Sequence, residues 1–417
     1  MTRLIIDPLT RVEGHGRIEL LIKDGRLEDV KVRLLESPRL FETLVVGRRY
    51  DEVPDLICRI CAICSAVHKL VSLQALENSM AVTVPPVAIA LRELLLLGGH
   101  IQSHALHLFC LVLPDLCGTP DVLELMRNKN PLAQDGLGLK AFGNRIQEVV
   151  GGRVIHPINP IFGGVAFCPS QTELENLMEE VIRWQRDWLD IEADFTQIAN
   201  YPAARPVLGT PLAVEMMKEF SLAGERLCPG NDASLPVADY AQLLKERAVS
   251  HSYAKDATGP QGPFVTGALA RLRQASCQGL EVNLPSTDAG IHGNNQAQLR
   301  EVGWALQRVG SLLELLLQAD SREPLHTTMK SPCGGTGTVA IEAPRGLLIH
   351  HYVVDEWGTV VAADIVTPTA INQRVMADQL MVDLADERDH DRLRDIAGRI
   401  VRAYDPCISC AVHLLEV

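Results

Sequence analysis

The apolar positions along this chain change their period. Between Arg17 and Leu34 they alternate with polar ones, in Arg17-Ile-Glu-Leu-Leu-Ile-Lys23 and Leu27-Glu-Asp-Val-Lys-Val-Arg-Leu34, with Asp24-Gly25 between the two runs. Alternation around an Asp-Gly pair predicts a β-hairpin. Beyond residue 50 the spacing lengthens to three and four. Segments 68–82, 86–114, 171–200 and 296–319 are rich in Leu, Ala, Glu and Gln and predict long helices. Leu94-Leu-Leu-Leu97 is apolar on every side, which puts its helix at the centre of a core. Pro and Gly punctuate 150–168, 201–211, 258–267 and 331–346, which read as loops or short strands. A strand pair is expected near 347–364, then helix from 371 to 402 and a turn at Asp405-Pro406. No repeat or low-complexity linker divides the chain. The expectation is one mainly α domain over 1–417: an N-terminal α+β portion, 1–50, and a bundle of long helices, 51–417.

Charge and cysteine content narrow the function. Lys and Arg number 39 and Asp and Glu 52, for a net charge of −13. Such a chain repels phosphate backbones, so nucleic acid is not an expected partner. The most apolar stretch, 91–116, contains Arg92, Glu93, His100, Gln102, Ser103, His104 and His107, too many polar groups for a membrane span. The start, Met1-Thr-Arg-Leu-Ile-Ile-Asp-Pro8, lacks the apolar run of an export signal, so a cytoplasmic protein is expected. Eleven cysteines in such a chain read as metal ligands or buried thiols rather than as a disulfide scaffold.

The cysteines cluster at the two ends. Cys58, Cys61 and Cys64 lie in Cys-Arg-Ile-Cys-Ala-Ile-Cys, and Cys407 and Cys410 in Asp405-Pro-Cys-Ile-Ser-Cys-Ala-Val-His413. A CxxC pair lets two thiolates reach one metal from a single turn, and two pairs supply four soft donors. Structural zinc pairs lie about 15–20 residues apart, far closer than these. A ferredoxin run needs a fourth Cys followed by Pro, where this chain has His68-Lys69. Cys110, Cys117, Cys168, Cys228, Cys277 and Cys333 read as buried small hydrophobes. Spacing alone leaves zinc and a catalytic soft metal equally open.

Five ordered blocks surround these cysteines: Arg11-Val-Glu-Gly-His-Gly-Arg17, Phe41-Glu42, Arg59-Ile-Cys-Ala-Ile-Cys-Ser-Ala-Val-His68, Glu342-Ala-Pro-Arg-Gly346 and Asp405-Pro-Cys-Ile-Ser-Cys-Ala-Val-His413. Together they resemble the large subunit of the nickel–iron hydrogenases from end to end. The resemblance implies that family's fold and its reaction, H2 ⇌ 2H⁺ + 2e⁻. It makes Cys61 and Cys407 terminal nickel ligands and Cys64 and Cys410 bridges to an iron carrying one CO and two cyanides. Cys58 falls outside the set and is expected to pack. Glu13 corresponds to a proton gate beside Cys407. Arg345, fixed by Pro344, is a guanidinium over the metals. Thr369 is a hydroxyl donor to cyanide, and His68 a hydrogen-bond partner of a bridging sulfur. Glu42, the backbone carbonyl of Ile365 and His413 match a second site for Mg²⁺ or a similar hard cation.

The resemblance also implies partners. With four cysteines assigned to the metals, the chain has no complete iron–sulfur motif and no dinucleotide fingerprint. Electrons are expected to leave through an iron–sulfur small subunit. The short ending is similar to the soluble NADP-linked hydrogenases, or sulfhydrogenases, in which a flavin-bearing diaphorase subunit serves NAD(P). A maturation endopeptidase is expected to cut after His413. Two departures stand out: Ala62 replaces a usual Gly, and Ser103 stands where membrane-linked members often carry Asp, removing an acid near the site. Gly334-Gly335-Thr336-Gly337 reads as a tight turn. The rival classes are a metal-free or zinc-bound structural or coupling subunit, like the complex I subunit of the same ancestry, and a zinc-stabilised interaction protein.

Overall fold

In the computed structural model, which describes all residues except 38–39, 217–219, 231–232, 261, 321 and 413–417, the alternating N-terminal segment is an antiparallel meander. Its strands are β1 (Thr2–Ile6), β2 (Gly16–Lys23) and β3 (Arg26–Leu34), in spatial order β1-β2-β3. Asp24 and Gly25 turn the hairpin with φ of 49° and 74°, the left-handed pair that matches strand twist. Ile18, Leu20, Val30 and Val32 bury one face of the sheet.

Six helices carry most of the middle of the chain: α1 (Ser65–Ser79), α2 (Pro86–Ala105), α3 (Pro131–Gly151), α4 (Gln171–Ile198), α5 (Ala268–Cys277) and α6 (Gly293–Gln318). α4 starts at a Ser170/Glu173 capping box and buries Leu174, Leu177, Val181, Trp184, Trp188 and Ile191, a stripe at three- and four-residue spacing. α2 packs against α3 and α6, and all four leucines from Leu94 to Leu97 are buried. The helix expected over 86–114 is not uniform. It widens into a π-helical segment at Leu106–Val112 before resuming at Leu113–Cys117. Pro114, which has no N–H for an α-type bond, sits just past that segment. The whole run Pro86–Cys117 is long and apolar enough to cross a membrane, but its apolar window is 89% buried inside the protein.

The mainly α expectation needs correction: about half of the chain is helix and 20% is strand. A six-stranded sheet is assembled from short strands between Thr210 and Val265. A second sheet contains β4 (Gly335–Ala343), β5 (Gly346–Val354) and β6 (Val360–Val366), with Ala223–Gly224 on its edge. β5 is nearly all buried, so it shows no alternation, and β4 is hidden in a Gly-rich stretch. The tight turn expected at 334–337 is instead the start of β4. A Cβ on Gly335 would lie 1.9 Å from the Ser79 carbonyl oxygen, and one on Gly337 1.9 Å from that of Ala75. Glycine here allows the strand to lie directly on α1.

The C-terminal helix expected over 371–402 is two helices, α7 (Pro368–Asp383) and α8 (His390–Ala403), followed by the short α9 (Ile408–Ala411). α7 and α8 share a core with the N-terminal meander through Leu20, Val32, Met376, Leu380 and Ile400. That packing brings the two ends of the chain together.

Candidate metal centre

Cys61 lies in the turn before α1, and Cys64 is the residue that caps it. Cys407 caps α9 and Cys410 lies within it. The ends are joined by backbone: Glu13 and Cys407 form a parallel bridge, and the Ile408 N–H donates to the Glu13 carbonyl at 3.2 Å. Gly14 makes room for Ile408, whose Cβ would be 2.8 Å from a Cβ at position 14.

These constraints bring the four sulfurs within 4.8 Å of one another. Cys61 Sγ is 3.5 Å from Cys407 Sγ across 346 residues of sequence. Cys64 Sγ is 3.9 Å from Cys407 Sγ, and Cys407 and Cys410 are 2.8 Å apart. All four side chains are buried. Burial pushes the Cys407 and Cys410 thiols well up, while hydrogen bonds to Cys407, Cys410 and Cys64 hold the Cys61 thiol down. A bound cation would favour the thiolate form of all four sulfurs. Cys58 stands apart, its thiol donating to the Asp55 carbonyl at 3.3 Å. Of the six cysteines expected to be buried, only Cys110 and Cys228 are; Cys117, Cys168, Cys277 and Cys333 are exposed, at helix ends and in loops near the surface.

The Arg345 guanidinium faces the sulfurs. Arg345 Nη1 is 3.4 Å from Cys64 Sγ, and its Nε donates to Asp405 Oδ1 at 3.0 Å. Burial works against this charge, but Asp405, Cys407, Cys64 and Cys61 together raise the Arg345 pKa well above its ordinary value. Burial likewise opposes the Asp405 carboxylate, and Arg345 and His107 hold its pKa below the usual range. Asp405 adopts φ 50°, a conformation that Asp tolerates better than most residues. Pro344 is fixed through its backbone: Arg271 Nη2 donates to its carbonyl at 3.1 Å, and Nη1 to that of Ala343 at 3.0 Å. Arg271 is itself fully buried, paired with Glu301 at 2.6 Å and Glu342 at 3.1 Å.

Thr369 and Glu13 meet the stretch of backbone that carries Cys407, and the other expected residues make contacts of their own. Thr369 Oγ1 accepts the Cys407 N–H at 2.9 Å, which leaves its own O–H to donate. Glu13 Oε2 accepts the Ser409 N–H at 3.0 Å. His68 Nδ1 meets His350 Nε2 at 3.3 Å, and His350 Nδ1 meets the Tyr352 hydroxyl at 3.0 Å. Glu42 Oε1 accepts the Ile365 N–H at 2.8 Å. His413 lies outside the described residues.

Several partners had no sequence signal. Glu246 and Asp364 bring carboxylate oxygens within 4.8 Å of Glu42. Lys255 reaches Glu246 at 3.1 Å, and the Tyr240 hydroxyl donates to Asp364. Asp364 directly precedes Ile365 and could have been noticed there; Glu246 could not. Beside position 103, which lacks the acid, His104 Nε2 meets Glu301 Oε2 of another helix at 2.8 Å.

Comparison with known proteins adds an independent line. A family model described as nickel-dependent hydrogenase matches residues 39–135 and 304–413. One described as HoxL-like matches residues 3–36. The chain is 37% identical over 427 residues to sulfhydrogenase 2 subunit alpha of Pyrococcus furiosus, covering 99% of each. It is 27% identical over 468 residues to NAD-reducing hydrogenase HoxS subunit beta of Cupriavidus necator, covering 99% of this chain and 95% of that relative. A solved NAD+-reducing NiFe hydrogenase in the H2-reduced state matches with a TM-score of 0.86 and 27% identity, over 99% of this chain and 100% of that one. The Ni-Fe-Se hydrogenase of D. vulgaris Hildenborough, at 20% identity and a TM-score of 0.79, shares the fold, with 99% of this chain and 100% of that chain covered.

Proposed function

The chain belongs to the nickel-dependent hydrogenase family, and from that premise we propose that Cys61, Cys64, Cys407 and Cys410 hold a nickel–iron centre at which H2 is split heterolytically or formed. The observation that carries this reading is the convergence of four buried sulfurs from opposite ends of the chain within 4.8 Å. The residues fit such a group. Four thiolates suit a soft metal pair, and Arg345 beside them suits a centre with net negative charge. The bound metals would polarise H2 and accept its electrons.

The chain's own residues then have distinct tasks. Cys61 and Cys407 would hold the nickel, and Cys64 and Cys410 would hold both metals. Arg345, fixed by Pro344, and Thr369 would donate hydrogen bonds to the cyanides on iron, and Arg345 would add positive charge where H2 is cleaved. Cys407 takes the proton and Glu13, joined to the same stretch of backbone, passes it outward. His68 tunes a bridging sulfur. Glu42, the Ile365 carbonyl and His413 hold Mg²⁺ or a similar hard cation, with Glu246 and Asp364 close by.

Electrons leave to an iron–sulfur small subunit and on through a flavin diaphorase to NAD(P), consistent with the sulfhydrogenase and NAD-reducing relatives. The same reading places the enzyme in the cytoplasm and requires a maturation endopeptidase that cuts after His413. Elemental and infrared analysis of the purified protein tests the centre. Nickel with iron, and CO and cyanide stretches, are expected. Zinc alone, or no metal, overturns the reading in favour of a structural or coupling subunit.

A further inference from the structure

Behind Arg345 lies a buried histidine that catalysis as described does not use. His107 stands on the π-helical segment and is 1% exposed. Its Nδ1 is 2.6 Å from Gln298 Oε1, and its Nε2 is 2.7 Å from the Arg402 carbonyl oxygen. The orientation of the Gln298 amide follows from its other contact: Nε2 lies 3.0 Å from Asp405 Oδ2. Asp405 already takes the Arg345 guanidinium on Oδ1, so it is a carboxylate and can only accept. Turning the amide over would set oxygen against oxygen. The Gln298 oxygen therefore faces His107, and both ring nitrogens of His107 face carbonyl oxygens.

A neutral imidazole has one donor and one acceptor nitrogen. It can satisfy only one of these contacts and makes the other repulsive. An imidazolium satisfies both. We infer that His107 is held as an imidazolium and that, through Gln298 and Asp405, it is a positioning residue for Arg345. The chain of contacts runs from the ring to the Gln298 amide, to the Asp405 carboxylate, to Arg345 and so to Cys64 Sγ at 3.4 Å. Each link orients the next: the His107 donor selects the Gln298 rotamer, the amide fixes Asp405 Oδ2, and the other carboxylate oxygen holds the guanidinium. The positioning role rests on the proposed task of Arg345; the protonation state of His107 does not.

The two halves are tested separately. In the assembled holoenzyme with ¹⁵N-labelled histidine, solid-state NMR should show both His107 nitrogens as N–H. Assignment comes from the signal lost in His107→Gln or His107→Lys, whichever folds. A nitrogen without a proton overturns the charge state. For positioning, His107→Gln should lower turnover about 10-fold, the low end of the scale for groups that orient a metal site, because His107 acts through Gln298 and Asp405. KM for H2 should be unchanged, and His107→Lys, which keeps a cation, should recover part of the loss. Wild-type turnover in His107→Gln, or a change confined to KM, overturns the positioning role.

Discussion

The Ser409 N–H donates to Glu13 Oε2 at 3.0 Å across 396 residues of sequence. This contact fixes the carboxylate next to the stretch of backbone that carries Cys407. Glu13→Gln keeps an oxygen for the Ser409 N–H but cannot carry a proton. Metals should load normally while exchange between H2 and solvent deuterons slows about 10²–10⁴-fold, the range for a lost general acid–base group. Unchanged exchange in a loaded variant would send the proton by another route.

Arg345→Lys should keep the metals and lose about 10²–10³ in turnover, the scale for one preorganised donor. The guanidinium spans Asp405 and Cys64 at the same time. Lysine is a point charge on a flexible stem and cannot hold both contacts in one plane. Turnover within twofold of wild type in a metal-replete sample counts against the assigned task.

Cys407→Ser should abolish turnover and leave circular dichroism and unfolding close to wild type. The hydroxyl fills the space of the thiol but is a hard, weakly acidic donor. The Cys407 N–H bond to Thr369 does not involve the side chain and survives. Residual hydrogen turnover above background would remove Cys407 from the ligand set.

Stability should fall on mild acidification. Burial lowers the pKa of His292 from 6.5 to about 4 and that of His100 from 6.5 to about 3. Below pH 6.5 the unfolded chain binds protons that the folded chain refuses. Stability is therefore fully present above 6.5 and is lost as pH falls toward 4 and then 3, by up to about 1.4 kcal/mol per pH unit for each group. His292 is stacked on Tyr201 with ring centroids 5.0 Å apart, so His292→Phe keeps the stack and removes the titration. Urea unfolding at pH 7.5 and 5.0 should show a smaller difference in the variant. An equal difference would show that His292 does not contribute.

Active enzyme should end at His413. Intact-mass measurement of a nickel-loaded preparation should show the loss of Leu414-Leu-Glu-Val417. An active chain still ending at Val417 would show that it assembles without processing.

Much of the centre could be read from the sequence because its ligands are dense in two short motifs. The CxxC pairs announce themselves, and Glu13, Glu42 and Arg345 stand in blocks that resemble a family. What surrounds Arg345 could not be read. Gln298, Glu301 and Arg271 lie on helices far from the motifs, with no spacing that ties them to the site. Their roles come from helix packing, where a buried charge has to find its partner. The same limit applied to the sheets. β5 is buried on both faces and loses its period, and β4 begins with glycines chosen for closeness to α1 rather than for a turn.

The joining of the chain ends makes the metal site a measure of completeness. Half of its donors lie in and just before α9, so a polypeptide released from the ribosome short of Cys407 has a CxxC pair but no centre. Closing a loop of 346 residues costs about 5 kcal/mol in chain entropy, which the interlocked meander and C-terminal helices must outweigh before the four sulfurs can meet. Metal insertion thus becomes a checkpoint on synthesis: only a chain made past Cys410 and correctly packed can keep its metals, and shorter products stay catalytically silent.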